Sequence, residues 1–193
     1  MVDKVGAAAG IASVAVGLSP AISETLTHRQ CTIEIINQSN IYSLCDPSIM
    51  YIEHGMCTIP PSPFIGSLKT DSIHFIKTPN AAYGSVAVFT YKLKQSSSPL
   101  ENSPKEKLAL MFSVPFSFAE YSNYYAVGIF PESQNCDRAL YLKMYYETED
   151  QFKRKKANEL IEPFIIHEGS DVIIRAAMSD AYQPIIKLHV ADK

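Results

Sequence analysis

From residue 29 to residue 190 this chain is a series of short apolar or alternating runs. Proline, glycine, serine or asparagine breaks the runs at close intervals. The last run is the clearest: Ile186, Leu188 and Val190 alternate with Lys187 and His189. At 29–37, Ile33 and Ile35 face one side and Thr32 and Glu34 the other. A period of two is that of a strand with one buried face. On this basis strands are expected at 29–37, 40–45, 49–53, 71–78, 84–94, 107–114, 124–130, 163–168, 171–178 and 184–190. Pro60, Pro61 and Pro63 make a rigid loop or an edge, and 95–106, with Pro99 and Pro104, is a polar exposed loop. The expected class is mainly β: an antiparallel β-sandwich flanked by two short helices, an N-terminal segment and one at about 136–147. The chain shows no internal repeat and no second domain. With 193 residues, 47% of them hydrophobic, it is long enough for one sizeable core and too apolar for global disorder.

The internal helix carries the residues of most interest. Asn135 is its expected N-cap, and Asp137 its first-turn acid. Leu140 and Met144, four apart, should pack on the sheet. Tyr141 and Tyr145 share another face, and Tyr146 lies about 100° round from Tyr145. Three phenols in six residues suit either simple packing or the rim of an aromatic pocket.

At the other end of the chain, no charge occurs between Lys4 and Glu24. The run Val5 to Ser23 would rise roughly 28 Å as one helix, but Ser19-Pro20 reads as an N-cap followed by a first turn. The expectation is therefore a helix near 2–17 and a short one near 20–27. A secretory signal wants a basic start, which Asp3 with Lys4 does not supply. A resident membrane anchor fits poorly because of the length and the proline. Two readings remain: a segment that docks on the domain yet can enter a membrane, and an ordinary buried helix. Residues 1–28 form this segment and 29–193 the sandwich, in one folding unit overall.

Chemistry is excluded more easily than binding. The net charge of −3 argues against a general nucleic-acid binder. Cys31, Cys45, Cys57 and Cys136 show neither a zinc-knuckle nor a CxxC spacing, and read as reduced thiols. The five histidines stand at no metal-ligand spacing, and the carboxylates are scattered. No enzyme, no metal and no cofactor are expected. A second aromatic cluster fills 112–125, where a strand ends at Pro115 and another restarts near Asn123. The loop between should expose Phe116, Phe118 and Tyr121. Tyrosine faces bind quaternary ammonium, and phenol-bearing rings suit a bilayer interface. A tyrosine-rich loop packed on its neighbours accounts for the same residues.

Phe112-Ser-Val-Pro-Phe-Ser-Phe-Ala-Glu-Tyr-Ser-Asn-Tyr-Tyr125, followed by Leu140-Tyr-Leu-Lys-Met-Tyr-Tyr146, resembles the signature of the actinoporins, the sea-anemone pore-forming cytolysins. Cys136-Asp137, Arg138, Leu140-Tyr141 and Met144-Tyr145-Tyr146 bring it closer to the actinoporin-like proteins of fishes. The resemblance covers roughly 29–190. It implies a sandwich that binds phosphocholine head groups, with sphingomyelin preferred. The N-terminal helix then enters the bilayer and lines an oligomeric, cation-permeable pore. The implied partners are a phosphocholine lipid and a membrane surface, with a monomer in solution, a homo-oligomer on the membrane and no nucleic acid. Carried over, the head-group site falls on Val86, Ser113, Pro115, Tyr121, Tyr141, Tyr145 and Tyr146. The membrane-contacting loop comprises Phe116, Phe118, Glu120, Tyr124 and Tyr125, the last two standing where anemone proteins carry a tryptophan pair.

The chain departs from the family in several places. Glu120 occupies the place of an exposed tryptophan, and His54 that of a pocket serine. The chain has no tryptophan at all. Phe152-Lys-Arg-Lys-Lys156 replaces an Arg-Gly-Asp loop, and reads as a phosphate-facing patch or as a solvated charge run. The alternative function is a lectin-like or lipid head-group binding module without a pore. The expected location is soluble, without a recognisable signal peptide, cytoplasmic or non-classically secreted, acting at a target cell membrane.

Overall fold

The computed structural model describes residues 29–95, 105–159 and 161–193. The helices expected at 2–17 and 20–27, and most of the loop expected at 95–106, lie outside the described residues. Among the described residues thirteen strands and one helix follow one another: β1 (Gln30–Asn37), β2 (Tyr42–Cys45), β3 (Tyr51–His54), β4 (Met56–Ile59), β5 (Phe64–Ile65), β6 (Thr70–Ile76), β7 (Ser85–Gln95), β8 (Glu106–Val114), β9 (Tyr124–Pro131), α1 (Arg138–Tyr146), β10 (Phe152–Lys156), β11 (Ile165–Glu168), β12 (Val172–Met178) and β13 (Ile185–Asp192). One sheet runs β11-β12-β13-β1-β6-β4; the other runs β10-β9-β8-β7-β2-β5, with β3 also paired to β7.

The alternation in β7, β8 and β9 sorts their side chains between two cores. Ala87, Phe89 and Tyr91, Leu108, Leu110 and Phe112, and Tyr125, Val127 and Ile129 enter the core between the sheets. Val86 and Val88, Ala109 and Met111, and Ala126 and Phe130 point to the opposite face, which α1 covers with Leu140, Tyr141 and Met144. Both faces of these strands are therefore buried, and the strands read as nearly continuous apolar runs.

Three expectations need correction. The sandwich is not wholly antiparallel: β1 and β13 pair in parallel, from Thr32 opposite Ile185 to Asn37 opposite Val190. That pairing joins the two ends of the described chain, so no local turn announces it. The N-cap of α1 is Asp137, not Asn135; its carboxylate accepts from the Leu140 N–H at 3.0 Å, which satisfies one of the orphan donors of the first turn. Residues 152–156, read as a charged stretch, form β10, an edge strand paired to β9 from Phe152 opposite Gly128 to Lys156 opposite Tyr124. The short strands β4 and β5 also went unforeseen. Two to four residues are too few to display a period.

Candidate functional site

The face of β7, β8 and β9 that meets α1 is built in rungs. Val86 lies opposite Ser113, Ser113 opposite Tyr124, and Tyr124 opposite Lys156. One rung inward, Tyr51 of β3 lies opposite Val88, then Met111, Ala126 and Arg154. Leu140 and Met144, both fully buried, seat α1 on this face. The two residues are one turn apart, so the tyrosines at the neighbouring positions are held in fixed places along the helix.

A row of rings results. Tyr51 and Tyr141 have centroids 6.0 Å apart, Tyr141 and Tyr145 5.7 Å, Tyr124 and Tyr145 5.7 Å, and Tyr145 and Tyr146 4.7 Å. These separations are those of attractive tilted and edge-to-face ring pairs. Tyr141 is buried, Tyr145 half-buried and Tyr146 exposed, so the row grades from core to solvent. Burial pushes the Tyr141 phenol well above its ordinary range, and the neighbouring Tyr145 and Glu53 push the same way. Burial also raises Tyr145, opposed by a hydrogen bond with Ser113 and by the Arg154 charge. The Tyr51 phenol is raised chiefly by its hydrogen bond to Glu53, where the hydroxyl donates to the carboxylate. At neutral pH all three phenols are therefore protonated and can donate hydrogen bonds.

The residues expected at the site are divided by the fold. Val86, Ser113, Tyr141, Tyr145 and Tyr146 come together on the helix-covered face, with Tyr124 among them. Tyr125 does not: at 1% exposure it lies in the core between the sheets, and burial pushes its phenol up to about 12. Consecutive strand residues point to opposite faces, so Tyr124 and Tyr125 cannot act as a surface pair. Tyr121 stands apart on the loop after β8. It is 61% exposed, and its N–H donates to the Ser117 carbonyl at 3.1 Å. Among the described residues no ring pair joins it to the row.

The same loop carries Pro115, Phe116, Phe118 and Glu120. Phe116 and Glu120 are exposed and Phe118 is half-buried. Arg29, the residue leading into β1, clamps the loop: its guanidinium donates to the Pro115 carbonyl at 3.1 Å and the Phe116 carbonyl at 2.7 Å. The guanidinium carbon lies 4.3 Å from the Tyr182 ring centroid and 5.5 Å from that of Phe118, as expected of stacked cation–π contacts. A cavity of about 650 Å³ opens beside this clamp, lined by Arg29, Lys77, Phe116, Ala181, Tyr182 and Gln183.

Sequence reasoning missed Tyr51 and Glu53, which enter from β3. The strand was expected, but the pairing of β3 with β7 that brings it to the row has no local signal. His54 stacks on Tyr83, with centroids 4.6 Å apart. Among the described residues no group of histidine, cysteine and carboxylate side chains is placed to hold a metal, no helix is long and apolar enough to cross a membrane, and all four cysteines are unbridged.

A family model described as sea anemone cytotoxic protein matches residues 74–190, which is more than half of the chain. The chain belongs to this family of actinoporin-related, non-catalytic pore-forming toxins. The matched stretch contains the whole of β7, β8, β9 and α1, which carry most of the tyrosine row. Tereporin-Ca1 of Terebra anilis is 24% identical over 166 residues, covering 82% of each chain. DELTA-stichotoxin-Hcr4b of Radianthus crispa is 37% identical over 65 residues, 34% of this chain and 32% of the toxin. Among solved structures, the lipid binding protein Nakanori aligns over 89% of this chain and 74% of its own, with a TM-score of 0.64 and 9% identity. That likeness concerns the fold alone.

Proposed function

We propose that this member of the family binds phosphocholine head groups of a target membrane, with sphingomyelin preferred, and that residues 1–28 then enter the bilayer to line an oligomeric, cation-permeable pore. The observation that carries the reading is the row Tyr51–Tyr141–Tyr145, extended by Tyr124 and Tyr146 and floored by Val86 and Ser113. Electron-rich ring faces attract a quaternary ammonium, each worth about 0.5–2 kcal/mol. The protonated phenols of Tyr141 and Tyr145 and the Ser113 hydroxyl offer donors to phosphate oxygens, while the Tyr51 hydroxyl is committed to Glu53. Tyr121, Pro115, Phe116, Phe118 and Glu120 lie on the loop that would meet the lipid surface. The charge-free run Val5–Ser23 supplies the inserting segment, because a helix satisfies its own backbone in lipid.

A second reading is a head-group binding module without a pore. The exposed Glu120 on the loop and the absence of tryptophan favour it, since a carboxylate opposes docking on a lipid surface and an interfacial indole promotes it.

Sedimentation and dye release with sphingomyelin vesicles test both readings. Full-length protein should bind and release dye. Tyr145→Leu removes one ring face and one phenol and should weaken vesicle binding about tenfold, in line with the ring energies above. Its melting temperature should stay within a few degrees, since Leu keeps most of the apolar contact. Val14→Asp places a carboxylate in the charge-free run, where burial in lipid costs about 2.5–3.5 kcal/mol. It should keep binding and lose release. Binding by the unaltered chain with no release would support the second reading, and no binding would end both.

A further inference from the structure

The basic run of β10 is divided by its strand into two pairs with different surroundings. Lys153 donates to the Ile166 carbonyl at 2.7 Å, and Lys155 pairs with Glu159 at 3.4 Å and Glu162 at 3.6 Å. These two are occupied structurally. Phe152, Arg154 and Lys156 point to the other face, where Phe152 joins the cluster under α1. Among the described residues neither the Arg154 guanidinium nor the Lys156 ammonium forms an ion pair, although the Lys156 backbone N–H donates to the Glu159 carboxylate at 3.4 Å.

Their positions bear on the tyrosine row. Lys156 Nζ lies 5.6 Å from the centroid of the Tyr124 ring. Arg154 is near enough to Tyr145 for its charge to act on that phenol. One terminal nitrogen of the Arg154 guanidinium is buried without any hydrogen-bond partner. A buried, unsatisfied guanidinium N–H costs more than an ordinary missed hydrogen bond, so the arrangement invites an acceptor from outside. The opposite end of the row carries a matched pair of charges: Glu53 accepts from the Tyr51 hydroxyl, with Arg138 Nε 3.9 Å away.

We propose that Arg154, assisted by Lys156, is the phosphate subsite of the tyrosine row, and that a phosphocholine lipid head group lies along the row with its phosphate at the Tyr145–Tyr124 end and its ammonium at the Tyr51–Tyr141 end. The assignment rests on the head-group reading above. A guanidinium can hold two phosphate oxygens at once through parallel N–H donors. At the far end the Arg138 charge is matched by Glu53, so the cations without a carboxylate partner stand only at the Arg154 end, which favours the phosphate there and leaves the ring faces of the other end to the ammonium. The resemblance places no residue of β10 in the head-group site.

The test uses full-length chain, the variants Arg154→Gln and Lys156→Gln, and four probes: phosphocholine, choline, inorganic phosphate and sphingomyelin vesicles. Chemical-shift titration reads the soluble probes and sedimentation the vesicles. Arg154→Gln should weaken phosphocholine and vesicle binding about tenfold, and Lys156→Gln about threefold, as expected for charge-assisted contacts. Choline binding should change less than about twofold, because cation–π attraction does not use these groups. Lys156 is exposed, so its variant carries the test should Arg154→Gln fail to fold. Unchanged phosphocholine binding by both variants would overturn the subsite and leave the head-group reading intact. Equal loss of choline and phosphocholine would overturn the proposed orientation. Inorganic phosphate binding as tightly as phosphocholine, with vesicles unbound, would make the site one for free anions. No phosphocholine or choline binding by the unaltered chain would overturn both the subsite and the reading beneath it.

Discussion

Gly128→Ala should lower the melting temperature by roughly 6–12 °C, taking about 3 kcal/mol of overpacking strain and the per-kcal shift usual for a chain of this size. Gly128 lies opposite Phe152 across the β9–β10 pair. A methyl added there would stand 2.4 Å from the Gln151 carbonyl oxygen and 2.5 Å from Phe152 Cβ. One of these is backbone, so no side-chain rotation relieves the contact. Relief must come from β10, the edge strand of its sheet, moving outward. That motion carries Arg154 and Lys156 away from Tyr145 and Tyr124. The variant should therefore lose vesicle affinity even well below its melting temperature. Thermal melts followed by circular dichroism, with sedimentation at 20 °C or below, check both parts. An unaltered melting temperature would mean that the edge strand yields without cost.

Asn37→Ala should cost about 3 kcal/mol and lower the melting temperature by a similar 6–12 °C, without a change in vesicle affinity at low temperature. Asn37 ends β1 at 1% exposure. Its side-chain amide donates to the carbonyls of Tyr42 at 2.8 Å, Gly66 at 3.0 Å and Ile65 at 3.2 Å, and its oxygen accepts from the Ser39 N–H at 3.1 Å. It thus ties β1, in one sheet, to β2 and β5 in the other. Alanine would remove all four of these bonds at once, and although the Lys69 N–H still serves the Gly66 carbonyl at 3.2 Å, such a loss is expensive where water cannot reach. None of the partners belongs to the tyrosine row. Guanidinium-chloride melts and low-temperature sedimentation separate this variant from Gly128→Ala: both lose stability, and only the glycine variant loses binding.

The two variants mark how far the sequence was legible. The strands β1, β12 and β13 announce themselves through a period of two, and β7, β8 and β9 through nearly continuous apolar runs. The helix announces itself through Leu140 and Met144 at a spacing of four. Each signal is local, because it depends on the geometry of a few consecutive residues. The motif at 112–125 and 140–146 was also readable without coordinates, and the family match over 74–190 agrees with it.

Pairing and facing were not local. The parallel contact of β1 with β13 and the arrival of Tyr51 and Glu53 at the row from β3 depend on residues far apart in the chain. The small strands β4, β5 and β10 exist because neighbouring long strands offer unpaired backbone donors and acceptors, not because their own residues alternate. The most consequential decision was which side of a strand each residue occupies. Tyr124 and Tyr125 are chemically identical neighbours, yet one faces the helix-covered cluster and the other the core between the sheets. Arg154 and Lys155 are both cations, yet one points toward Tyr145 and the other pairs with Glu159 and Glu162. The sequence by itself determined the long strands, the helix and the tyrosines available to a site. The tertiary structure decided which of those tyrosines and cations share a face, because register across a sheet is set by the strands on either side and a shift of one residue would exchange every one of them.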